Sequence, residues 1–317
     1  MNKLATSLSL RLAILACLFA TSLRAHADTL YVANDKNDTI VKIDSSGNAS
    51  VFASSGLDDP EGLAFDSSGN LFVANYGSGT IEKFDPSGNG SVFASTLFPL
   101  GPIHPYGLAF DSSGNLYAVD PNRERILKFD PQGHVSVFAT NSSLGFGAEG
   151  MAIDGSGNVY VARYYNNAVI KFDTNGVASI FASPVYTDTN RFPIPNYPTG
   201  LAFDSSGNLY VGNDGTGIIM KFDANGNGSL FNPESVEGGG DISGLAIDGG
   251  GNVYTSVYGL GYIRKWDPSG HATIFANASA GLDGPSFIAV QVPEPSSLLL
   301  AGAGALLLCP LLKRKRA

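Results

Sequence analysis

The sequence has only two cysteines, Cys17 and Cys309, one near each end of its 317 residues. The long middle therefore holds no disulfide framework, no thiolate metal site and no cysteine nucleophile. Histidine is almost as scarce: only His104, His134 and His271 follow His26. His134 and His271 each follow a turn glycine and read as turn residues, which leaves His104 alone in a proline-flanked stretch. Chemistry that needs paired histidines has no pair to use. No Gly-x-Ser-x-Gly turn presents a serine nucleophile. The glycine-rich run Glu237-Gly-Gly-Gly240 lacks the Lys and Ser/Thr of a phosphate loop.

The two ends read as sorting signals. Lys3 and Arg11, the apolar run Leu12–Ala20 and the triplet Ala25-His26-Ala27 predict a secretory leader over residues 1–27. Its apolar run is too short to span a bilayer. A lipoprotein reading through Cys17 would cut inside that run. At the other end, Val292-Pro-Glu-Pro295 leads into residues 296–312, which are apolar and just long enough to cross a membrane at about 1.5 Å per residue. Lys313-Arg-Lys-Arg316 follows and should stay on the cytoplasmic side. Residues 293–317 resemble the PEP-CTERM sorting signal of Gram-negative bacteria, on Pro293-Glu294-Pro295, the span and the basic end. The resemblance implies processing by a membrane protease, an exosortase. It also implies an exported surface or matrix protein, held in the inner membrane by its C-terminal segment until processing. A plain C-terminal anchor is the alternative.

Residues 28–292 remain, enough for one β domain. Three of the 19 basic residues lie in the leader and four in the tail, leaving 12; of the 28 acidic residues only Glu294 lies outside, leaving 27. The net charge of this part, near −15, excludes nucleic acid and anionic lipid as partners. It permits cations, cationic partners and neutral glycans.

One block dominates what is there. Gly62-Leu-Ala-Phe-Asp-Ser-Ser-Gly-Asn-Leu-Phe-Val-Ala-Asn75 returns at Gly107–Asp120, Gly150–Arg163, Gly200–Asn213 and Gly244–Val257. A second block, beginning Glu82-Lys-Phe-Asp-Pro-Ser-Gly-Asn, follows each copy in related form. Such a unit cannot bury its apolar faces alone and must stack on copies of itself. Each unit predicts four short strands, in the first full copy Gly62–Phe65, Leu71–Ala74, Thr80–Phe84 and Ser91–Ala94. The Asp-x-x-Gly segments between first and second strands and between third and fourth suit tight hairpins. They lack the spaced carboxylates of a Ca²⁺ loop. Six Lys-Phe-Asp-type runs and six Leu-Tyr-Val-type runs are present, but only five Gly-Leu-Ala-Phe runs precede such partners. The missing strand lies at the far end, where Pro285-Ser-Phe-Ile-Ala-Val290 aligns with Pro60-Glu-Gly-Leu-Ala-Phe65. This permutation predicts an all-β fold: a six-bladed β-propeller of four-stranded antiparallel blades, closed by the C-terminal strand joining the N-terminal blade. An open β-solenoid is the alternative and leaves the permuted strand unexplained. On these repeats, residues 28–292 resemble the NHL-repeat proteins and the wider six-bladed group containing the SMP-30/gluconolactonase and streptogramin-lyase-like enzymes. That pattern hosts both binders and enzymes.

A site is expected on the face carrying the second–third turns and the crossovers between blades, which differ in every copy. The residue before the repeat glycine should face the central channel there; in order these are Glu61, Tyr106, Glu149, Thr199, Ser243 and Ser286. The second strands end in Asn34, Asn75, Asp120, Arg163 and Asn213. An oxygen-rich rim suits a hard cation such as Ca²⁺ or Mg²⁺. In the gluconolactonase-like group an acidic pre-glycine residue and a ring of Glu, Asn and Asp hold the catalytic metal. The resemblance thus implies Glu61 and Glu149 as ligands, with Asn75, Asp120 or Asn213 completing the set; that group's full pattern is not present. A metal-free, water-filled funnel is the other reading. Tyr76, His104, Tyr106, Arg163, Tyr164, Tyr165, Arg191, Tyr197 and Tyr258 form the expected ligand-binding face. Three functions follow: a module binding extracellular polysaccharide or a surface protein, a metal-dependent hydrolase or lyase, or a structural matrix component.

Overall fold

A computed structural model describes residues 28–95, 101–140, 144, 147–183, 185–186, 193–194, 196–232 and 241–291. The leader, the tail with its span 296–312, and Arg191 lie outside the described residues. Among the described residues no helix is long and apolar enough to cross a membrane.

Six four-stranded antiparallel sheets form the blades of a propeller. Blade 2 runs from its inner strand outward as Pro60–Phe65, Leu71–Asn75, Thr80–Phe84 and Gly90–Ala94. Blades 3 to 6 repeat this order from inner strands Leu108–Phe110, Ala148–Ile153, Pro198–Phe203 and Ile242–Ile247. Blade 1 is built from both ends of the propeller: Pro285–Gln291 is its inner strand and pairs antiparallel with Thr29–Asn34, followed by Thr39–Ile43 and Ala49–Ala53. The expected closure is observed. A two-stranded ribbon, Val185–Tyr186 with Pro193–Ile194, lies between the strands of blades 4 and 5 in the chain.

The core lies between blades. Each cluster draws on two neighbours; Phe72, Ile81 and Ala94 of blade 2, for instance, pack with Leu116, Leu127 and Phe129 of blade 3. This is the burial that one unit cannot achieve alone. The repeated Asp-x-x-Gly-Asn hairpins are near-identical devices. In the first, the amides of Ser46 and Asn48 donate to Asp44 Oδ1 at 2.9 Å, and Gly47 takes φ 83°. The same bonds recur at Asp66, Asp85, Asp111, Asp154 and Asp204. His134 and His271 sit in these hairpins as exposed partners of Asp130 and Asp267.

The repeat glycine sets how closely inner strands approach. The Gly62 amide donates to the Tyr106 carbonyl of blade 3 at 3.0 Å, and a Cβ on Gly62 would overlap that oxygen. Gly107, Gly150, Gly200 and Gly244 meet the backbones of blades 4, 5, 6 and 1 in the same way. Blade 1 carries Phe287 in this column, and the ring closes through Ser286 Oγ donating to the Pro60 carbonyl of blade 2 at 3.1 Å.

Gly62→Ala should therefore destabilise the protein by about 1–3 kcal/mol through overpacking. Gly155→Ala, at a hairpin glycine whose Cβ meets nothing within 4 Å, should be near neutral. Urea denaturation of the two variants checks the contrast; equal effects would contradict the close-approach account.

Candidate functional site

The inner strands run from the variable face to the hairpin face, so the residues before the glycine column, at the strand starts, gather at the mouth of the channel. There the expected residues divide into two groups.

The first group centres on Glu61, at 7% exposure. The Tyr106 hydroxyl lies within hydrogen-bonding reach of its carboxylate. The Tyr106 ring stands edge-on to Tyr76 at 5.6 Å and to Phe287 at 5.7 Å, and Tyr76 contacts His104 at 5.8 Å. His104 Nδ1 is buried without a partner. Burial, reinforced by the charges of Asp59 and Asp35, holds the Glu61 pKa well above the usual carboxylate range. Oxygens of Asp35, Asp59 and Glu61 all lie within 4.8 Å of one another.

The second group borders an open cavity of about 310 Å³. Glu149, Tyr164 and Tyr165 of blade 4, Thr199 and Asp214 of blade 5, Asp241, Ser243 and Tyr258 of blade 6, and Phe287 of blade 1 line it. Tyr164 donates to Asp214 Oδ2 at 2.7 Å, while Asp214 Oδ1 is buried without a partner. Tyr165 packs edge-on against Tyr164 at 5.0 Å, and the Tyr197 ring lies 4.8 Å from Tyr164, tilted by 34°. The Lys36 ammonium sits 4.6 Å over the Tyr258 ring. Burial pushes Glu149 up to about 8, with the Asp214 charge adding to the effect. Burial also raises Asp214; the bond from Tyr164 opposes this and the neighbouring Asp241 carboxylate adds to it. Arg163 lies outside this lining; its Nε is buried without a partner, and burial lowers its pKa.

The structure engages Asn75, Asp120 and Asn213 otherwise than in a shared metal shell. Asn75 Nδ2 donates to the Gly56 carbonyl and to Thr80 Oγ1, and its Oδ1 accepts from the Asp58 amide. Asn213 makes equivalent bonds to Ile218 and Asn196. Asp120 is fully buried and paired with Arg125 at 2.9 Å. These side chains fasten the loops above their own blades. Glu61 is grouped with Asp35 and Asp59 of neighbouring loops, whereas Glu149 faces the cavity. Sequence reasoning did not single out Asp35, Asp59, Asp214, Asp241 or Phe287 as site residues. The break in the glycine column was the readable signal for Phe287; nothing in the repeat marked the acids.

Comparison with known proteins adds the sorting signal and the fold. Residues 291–316 match the PEP-CTERM protein-sorting motif. The chain is an exported β-propeller with a C-terminal membrane anchor before exosortase processing. No curated protein sequence matches it. Among solved structures, a chain of a nidogen/laminin complex is similar with TM-score 0.68 at 18% identity, over 83% of this chain and 98% of that one. A virginiamycin B lyase from Staphylococcus aureus gives 0.59 at 13%, over 80% and 85%. A gluconolactonase from Xanthomonas campestris gives 0.59 at 16%, over 84% of each. At these identities the likeness establishes the fold alone.

A carboxylic acid whose folded pKa exceeds its unfolded value makes folding take up a proton, so its contribution to stability falls as pH rises between the two values. Glu149, raised from 4.5 to about 8, should lower stability progressively across that window. Glu149→Gln should match the parent Tm near pH 4 and exceed it near pH 8. A melting difference that does not change with pH would contradict the assignment.

Proposed function

We propose that this protein is an exported binding module whose ligand enters the cavity bounded by Glu149, Tyr164, Asp214, Tyr258 and Phe287. The lining carries the reading: three carboxylates and four aromatic rings, with no Lys or Arg among the lining residues. Tyrosine faces give contact area at small entropic cost, and sugars and protein segments both use them. The carboxylates accept hydrogen bonds from hydroxyl or ammonium donors and repel anions. The ligand class is therefore a neutral or amino-bearing glycan, or a protein segment presenting lysine, as suits a protein displayed at the cell surface or in the matrix. The hydrolase reading is less well supported, because Asn75, Asp120 and Asn213 spend their side chains on their own blades. His134 and His271, in exposed hairpins, leave His104 without a histidine partner for lyase chemistry.

Direct binding of the full chain in detergent to immobilised neutral, amino-bearing and uronate-rich oligosaccharides, and to lysine-rich peptides, tests this. Retention of neutral or amino-bearing ligands, with uronates excluded, is expected. Tyr164→Ala and Asp214→Asn should each weaken binding by about tenfold or more. Retention of uronates, or binding indifferent to both substitutions, would overturn the proposal.

A further inference from the structure

We propose that Asp35, Asp59 and Glu61 form a Ca²⁺ site that clasps blade 1 to blade 2, where the propeller closes. The three residues come from both sides of that seam. Asp35 opens the 3-10 turn Asp35–Asn37, which joins two strands of blade 1, and its amide donates to the Gly284 carbonyl at the start of the C-terminal strand. Asp59 and Glu61 flank Pro60, the first residue of the inner strand of blade 2.

Acidic residues often gather on surfaces without binding anything, but here the group is partly enclosed and two of its buried oxygens have no partner. Glu61 is 93% buried, from its 7% exposure, and its Oε2 has no hydrogen-bond partner; Asp35 Oδ1 is likewise buried and unpartnered. Unmet acceptors at such a spacing are costly unless a cation joins them. Among the described residues no ion pair engages any of the three carboxylates. Lys36, next to Asp35, directs its ammonium over Tyr258 instead. Gly284 makes room for the arrangement: it takes φ 62°, and a Cβ there would overlap Asp35 Oδ1.

The donor set selects the ion. It is all oxygen, without histidine or cysteine, so it suits a hard cation. Ligands facing each other across Ca²⁺ lie about 4.6–5.2 Å apart, and across Mg²⁺ about 4.2 Å. Oxygens no more than 4.8 Å apart can converge on one such ion, and three carboxylates from separate loops suit the flexible Ca²⁺ shell better than the strict octahedron of Mg²⁺. This set is compact and local to one seam, unlike the ring-spanning set that included Glu149, Asn75, Asp120 and Asn213. None of its three ligands lines the ligand cavity, although Tyr258 of that cavity reaches Asp35.

Calorimetric titration of the EDTA-stripped full chain in detergent with CaCl₂ and with MgCl₂ tests the site, beside thermal melts. One saturable Ca²⁺ site is expected, in or below the range of about 10⁻⁴–10⁻³ M typical of extracellular modules, with weaker Mg²⁺ binding. Ca²⁺ should raise the melting temperature. Asp35→Asn/Asp59→Asn removes like-charge repulsion, so it should fold normally while losing both the calorimetric signal and the Ca²⁺-dependent shift. Asp214→Asn, in the cavity, should keep both. Absence of saturable Ca²⁺ binding in the parent, or its retention in the Asp35→Asn/Asp59→Asn variant, would overturn the proposal. Failure of glycan or peptide binding would leave it standing, because the two sites share no residue.

Discussion

The structure depends on the close approach of inner strands at the glycine column. Gly62, Gly107, Gly150, Gly200 and Gly244 bring each backbone against its neighbour, at separations that no side chain would allow. That contact fixes the radius of the ring and directs the preceding residue towards the channel mouth. The outward faces of the blades then pack through the apolar clusters between them. Blade 1 breaks the pattern, because its inner strand carries Phe287 and closes the ring through a serine side chain. The asymmetry this introduces shapes the variable face, since the Phe287 ring becomes one wall of the cavity.

Two faces of the disc do different work. The hairpin face repeats one solution, an aspartate capping its own turn, and its exposed Asp44 and Asp85 carboxyls are held below the usual range by bonds from Asn48 and Asn89. The variable face carries burial with only partial compensation. Glu61, Glu149 and Asp214 are all shifted upwards, and two of them retain an oxygen without a partner. Glu149 and Asp214 face the cavity, whereas Glu61 meets Asp35 and Asp59 at the seam of blades 1 and 2.

The fold was legible because the repeat records it twice, once in the unit and once in the permuted strand at Pro285–Val290. Tyr164, Tyr165, Tyr258 and Glu149, which line the cavity, were legible as candidates because they break the repeat on the face that the scaffold leaves free. The roles of Asn75, Asp120 and Asn213 were not. A polar residue at a strand end has the same sequence appearance whether it points into the channel or fastens the loop above it, and only the partners, such as Gly56 and Arg125, distinguish the two. Asp214 and Asp241 were obscured differently, since they come together from adjacent blades and no repeat position records that pairing.

A crystal structure of the protein grown with an amino-bearing oligosaccharide would test the central claim most directly. The account predicts ligand density in the cavity between Tyr164, Asp214 and Tyr258, with an amino or hydroxyl group against Asp214 Oδ1. Density confined to the hairpin face, or an empty cavity with ligand ordered elsewhere, would contradict it.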